Sequence, residues 1–125
     1  YLYQQTDKNY SIVHDLGGYD ELSLTNNAKI ASNRSELMFS ADFLGIKNIT
    51  PDEIFGGDTV EEATKIFETI ISGNGSEAQN NVVCANAGLA ISTVKQITHQ
   101  EGFEYAKESL MSGKAKKCLT QLIAI

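Results

Sequence analysis

The chain has 125 residues, 42% of them hydrophobic and 21% charged, with a formal net charge of −6. That length supports one modest core rather than two domains, and the acidic balance excludes phosphate-backbone binding as a main task, because nucleic-acid binding needs a basic face. The apolar runs are too short to span a bilayer.

Cys84 and Cys118 are the two cysteines. They are far apart and in no C-x-x-C pattern, so neither a zinc site nor a disulfide framework is indicated, and a reduced, cytoplasmic setting is the default. No charged start followed by an apolar run marks a secretion signal. The chain opens at Tyr1, without a methionine, in what reads as the tail of an element, so the expectation is that its start is missing.

In chain order, residues 9–14 read as a strand, with Ile12 and Val13 forming the continuous apolar pair that parallel sheets contain. Loop 15–21 follows, and its Gly17-Gly18 pair precedes Asp20 and Glu21. The glycines supply a tight turn or let a ligand approach the backbone. Two adjacent carboxylates at a strand end suit a hard cation such as Mg²⁺; taken alone they also read as a solvated acidic turn. Residues 28–32 and 36–40 read as two more strands joined at Asn33-Arg34-Ser35, a hairpin. A helical turn is expected at 42–45, and Pro51 suits the start of another.

From Gly56 the period changes. Thr59 caps a helix with Glu62 three residues on, and Val60, Ala63, Ile66, Phe67, Ile70 and Ile71 mark one face. Gly73-Asn74-Gly75 ends it. A second helix is predicted over 76–98, apolar on nearly all sides and therefore buried. A third starts near Gly102 and stops near Gly113, and a fourth carries Ala115, Cys118, Leu119, Leu122 and Ile123. Both cysteines read as small buried hydrophobes. His14 reads as a strand-end residue satisfied by a local hydrogen bond, and His99 as a surface charge or cap at a helix end. Lys107–Lys117 is the densest basic stretch and reads as solvation and helix-dipole complement. So apolar a helix as 82–94 needs cover from an upstream segment or another chain, which makes self-association of the fragment an expectation.

The expected fold class is α/β: short strands of a partly parallel sheet with a hairpin, followed by about four helices. The expected division is strand-rich 9–40 and helical 51–125.

The run His14-Asp15-Leu16-Gly17-Gly18-Tyr19-Asp20-Glu21-Leu22-Ser23 resembles the H-x-x-x-G-x-D-E-[IL]-S segment of anthranilate phosphoribosyltransferases. Three further stretches follow in that family's order. They are Gly56-Gly57-Asp58 before a helix, Asn86-Ala87-Gly88-Leu89-Ala90, and Ala106-Lys107-Glu108-Ser109-Leu110-Met111-Ser112-Gly113-Lys114-Ala115. The resemblance covers the whole chain and implies the C-terminal part of the family's larger α/β domain. It implies transfer of phosphoribosyl from phosphoribosyl pyrophosphate to anthranilate in tryptophan biosynthesis, with Mg²⁺ held by Asp20 and Glu21, and a homodimer at full length. The family's pyrophosphate loop and anthranilate-binding arginine lie upstream in its pattern, so the isolated chain is expected to be inactive. On the residues alone, Gly56-Gly57-Asp58 reads as a glycine turn into a capped helix, and 86–90 as core. The alternatives are a related nucleoside phosphorylase and a non-catalytic binding or assembly module.

Overall fold

The computed structural model describes residues 2–125. Among them the chain forms three strands, β1 (Ser11–Asp15), β2 (Ala28–Ser32) and β3 (Glu36–Phe39), and four helices, α1 (Val60–Ile71), α2 (Glu77–Lys95), α3 (His99–Met111) and α4 (Lys114–Ile123). Short 3-10 turns occupy Tyr3–Gln5, Ala41–Leu44 and Pro51–Ile54. The α/β class, the hairpin and the four helices are as expected. No described helix is long and apolar enough to cross a membrane.

The sheet runs β1-β2-β3 and is antiparallel at both pairings. This corrects the expected parallel component. A parallel neighbour needs a crossover, usually helical, whereas β1 returns to β2 through a loop over 16–27 that contains no helix. β1 also alternates, with Ile12 and His14 exposed and Asp15 buried, so Ile12-Val13 is not a doubly buried pair. The hairpin closes where predicted, the Ser32 amide donating to the Ser35 carbonyl at 2.9 Å. β1 lies at the sheet edge and is hydrogen-bonded on one side.

Leu22, Leu24, Ala28, Ile30 and Phe39 come together with Cys84, Ala85 and Leu89 of α2 and Phe103, Ala106 and Leu110 of α3 as one core. α2 and α3 cross with almost no side chain between them, because Gly88 and Gly102 meet there. α1 and α4 bury no residue fully. Cys118 on α4 is exposed, against the expectation of burial, while Cys84 is buried.

Two helix boundaries differ from the prediction. α2 stops at Lys95, where Gln96 turns left-handed (φ 58°). Thr98 then caps α3, its hydroxyl receiving the Glu101 amide at 3.2 Å while the Glu101 carboxylate receives the Thr98 amide at 2.9 Å. α2 is also covered on one face only. Cys84, Ala85, Gly88 and Leu89 are buried, but Val83, Ala87, Ala90 and Val94 form an open stripe at helical spacing, with Val94 75% exposed.

Candidate functional site

The loop between β1 and β2 is built around a carboxylate. Asp15, 1% exposed at the end of β1, accepts the Gly17 amide at 2.7 Å, the Ser23 amide at 3.1 Å and the Ser23 hydroxyl at 2.7 Å. A short carboxylate that captures the amide two residues on makes a local turn, and the bonds to Ser23 close the loop across its base. Gly18 sits at φ 91°, a conformation that side chains with a Cβ rarely adopt. Gly17 has a different constraint: a Cβ there would lie 3.0 Å from the Asp15 carboxylate and against the Asn26 amide. The turn role expected for the glycines is therefore met by two separate means.

Leu22, Ser23 and Leu24 are buried beneath the loop. The Leu22 backbone is held by Asn86 of α2, whose Oδ1 accepts the Leu22 amide and whose Nδ2 donates to the Leu22 carbonyl, both at 2.9 Å. Leu24 bends left-handed at φ 61°, and its carbonyl accepts the Ile49 amide at 3.1 Å. With the hydrophobic residues drawn down on one side and Gly18 reversing the chain on the other, Asp20 and Glu21 are left exposed.

Both carboxylates line one groove of about 530 Å³, with Tyr3, Ile12 and Val13 on one wall and Asn86, Leu89, Ala90, Thr93 and Val94 of α2 on the other. The adjacent acids predicted as a cation site thus share one concave surface. Among the described residues, no lysine, arginine or histidine lines the groove, and no cluster of three or more His, Cys, Asp or Glu side chains could enclose a metal. Two carboxylates, with no third among the described residues of the groove, fit Mg²⁺ in its usual protein setting, one or two carboxylates with waters and substrate phosphates filling the remaining positions. They do not fit a closed structural metal site. A larger groove of about 710 Å³ lies beside the hairpin. Its acids, Asp7 and Glu36, are on separate segments, and it lacks the paired carboxylates.

The remaining candidates separate from this groove. His14 is exposed and sits opposite Lys29 in the sheet register, and its ring meets no hydrogen-bond partner among the described residues. His99 is the first residue of α3, not a charge at the end of α2, and its ring packs edge-on against Phe39 at 6.1 Å. Burial, then the nearby Arg34, holds its pKa below the ordinary value. Burial pushes the Cys84 thiol up, Lys107 opposing that shift. Gly56-Gly57-Asp58 is a turn into α1, as its residues imply. Thr59 accepts the Glu62 amide at 3.2 Å and Glu62 reaches back to the Asp58 amide at 2.8 Å. Asn86, read from sequence as core, is half-buried and bonded to the loop. Its polarity in the middle of an apolar helix was the available signal.

Residues 3–116 match the family described as "Glycosyl transferase family, a/b domain". The anthranilate phosphoribosyltransferases of Flavobacterium johnsoniae and Flavobacterium psychrophilum are 55% and 52% identical over 98% of this chain. The chain spans 37% of the length of each of these curated relatives. Among solved structures, anthranilate phosphoribosyltransferase from Thermus thermophilus superposes with a TM-score of 0.80 at 23% identity, covering 91% of this chain and 34% of that one. The Saccharomyces cerevisiae enzyme in complex with PRPP and Mg superposes with a TM-score of 0.73 at 21% identity, covering 88% and 32%. By the match over most of its length, the chain belongs to the glycosyl transferase family, a/b domain.

Proposed function

We propose that this chain is the C-terminal part of the α/β domain of an anthranilate phosphoribosyltransferase, and that Asp20 and Glu21 are its metal-holding carboxylates. The observation that carries the reading is the placement of both acids on one groove, in a chain 55% identical to a protein of that name.

In the reaction, the amine nitrogen of anthranilate bonds to the ribose C1, and the C1–O bond to pyrophosphate breaks. The pyrophosphate leaves with the bonding electron pair, and the amine gives up a proton to water. A bound Mg²⁺ would supply Lewis-acid neutralisation of the leaving group's charge. Asp20 and Glu21 would hold that ion at the groove. Because no basic side chain among the described residues lines the groove, the two carboxylates by themselves repel pyrophosphate, and a cation held by them would offset that repulsion. The groups that grip the ribose, the phosphates and anthranilate are assigned to the rest of a longer protein, since the chain spans 37% of its relatives. The full-length protein is expected to be a cytoplasmic homodimer, and the isolated chain to be inactive. Fluorescence of anthranilate, followed with phosphoribosyl pyrophosphate and Mg²⁺, tests this directly. Consumption by the full-length protein and none by the 125-residue chain is the expected result, and transfer by the chain alone would overturn the division of the site.

A further inference from the structure

Leu22 follows Glu21 directly, and its peptide groups are held from another element. The Asn86 side chain accepts the Leu22 amide and donates to the Leu22 carbonyl, both at 2.9 Å. This is the exchange of N–H···O bonds that a neighbouring strand makes, performed here by one side chain on a segment outside the sheet. Asn86 Nδ2 also donates to the Val82 carbonyl at 2.9 Å, one turn back in its own helix. Both amide hydrogens are then used, and the Leu22 amide and carbonyl together determine which way the group is turned.

The other end of the loop is tied by Asp15, which holds the Gly17 amide and the Ser23 amide and hydroxyl. Asp20 and Glu21 therefore ride on a short exposed stretch pinned on both sides by side chains from regular elements, β1 and α2. Asn86 lines the same groove as the two acids. It has no charge to offer a cation, and its amide is already committed to the backbone.

We propose that Asn86 is a positioning residue for metal binding. Through Leu22 it fixes where Asp20 and Glu21 stand over the groove, so that α2 and the acidic loop act as one unit. The inference rests on the reading of Asp20 and Glu21 as metal ligands. Substituting leucine keeps much of the side-chain volume but leaves the Leu22 amide and carbonyl unpaired. The loop then moves relative to α2 while the acids themselves are unchanged.

The test uses the full-length protein, with Mn²⁺ alone as the probe, read by electron paramagnetic resonance. Asn86→Leu is expected to weaken Mn²⁺ binding about 10-fold or more, the usual effect of removing a group that orients metal ligands. It is also expected to raise the Mg²⁺ concentration giving half-maximal activity while kcat at saturating Mg²⁺ is retained. Leu110→Ala, a buried change on α3, controls for stability: a comparable fall in Tm with unchanged Mn²⁺ affinity is expected. If Asn86→Leu does not fold, Asn86→Ser, too short to reach Leu22, enters the same comparison. Loss of Mn²⁺ binding in Asp20→Asn and Glu21→Gln with unchanged binding in the Asn86 variant overturns this inference alone. Unchanged binding in all of them overturns the metal reading with it.

Discussion

Gly88 of α2 lies so close to Phe103 of α3 that a Cβ on the glycine would stand 2.6 Å from the Phe103 amide nitrogen and 2.7 Å from its Cα. The obstacle is backbone, which cannot swing aside as a side-chain tip can. Gly88→Ala therefore forces α3 away from α2 and opens the core around Phe103. Overpacking of this kind costs about 1–3 kcal/mol, partly offset by about 1 kcal/mol of helix propensity. The expected net loss, up to about 2 kcal/mol, is read as a fall in denaturation midpoint at constant m-value. A rise in the midpoint would contradict the close crossing.

The start of α3 predicts a different response. Thr98→Ala removes the oxygen that receives the Glu101 amide, and loss of such a cap costs about 1 kcal/mol. Glu101 adds pH dependence, because the Thr98 hydroxyl and then the Thr98 amide hold its carboxyl below the ordinary value of 4.5. A depressed carboxyl stabilises the fold fully above that ordinary value and loses the contribution as pH falls through the folded one. Denaturation midpoints taken from about pH 6 down to pH 3 should thus fall less steeply for Glu101→Gln than for the parent.

His99 acts in the opposite part of the pH scale. Burial and Arg34 lower its pKa from 6.5, so between the folded value and 6.5 the unfolded chain binds more protons. Stability is then full above 6.5 and declines as pH drops below it. Its place at a helix N-terminus acts in the same sense, since positive charge is disfavoured there. Stability profiles between about pH 7.5 and pH 5 should lose part of this slope in His99→Gln. An unchanged slope would assign it to other groups.

Much of this architecture was legible because its signals are local. The Thr59 cap, the turn at Asn33-Arg34-Ser35 and the glycine ending of α1 all rest on residues within one turn of each other. Asp20 and Glu21 could be picked out for the same reason, as neighbours after a glycine pair. Asn86 stands out only as a polar residue in an apolar helix and reads as core; its partner Leu22 is 64 residues away, so the bond itself has no local signal. The α2–α3 break is expected at 98–102 because the Thr98–Glu101 capping pair is not part of that reading, and Gln96 gives no warning because a left-handed glutamine has no compositional mark. Ile12-Val13 misled because an apolar pair is compatible with burial on both faces. In the fold Ile12 is instead exposed, on the wall of the groove.

Under the proposed function, Asp20 and Glu21 are the metal half of a phosphoribosyl-transfer site. The most direct measurement is the rate of Mg²⁺-dependent transfer to anthranilate by full-length protein carrying Asp20→Asn or Glu21→Gln. Each change removes a charge that would anchor the ion against the leaving pyrophosphate. The predicted result is a fall in kcat/KM of about 10²-fold or more, the scale of losing one charge-stabilising group, with the fold and Tm retained. Parent-like rates with an unaltered Mg²⁺ requirement in both variants would contradict it.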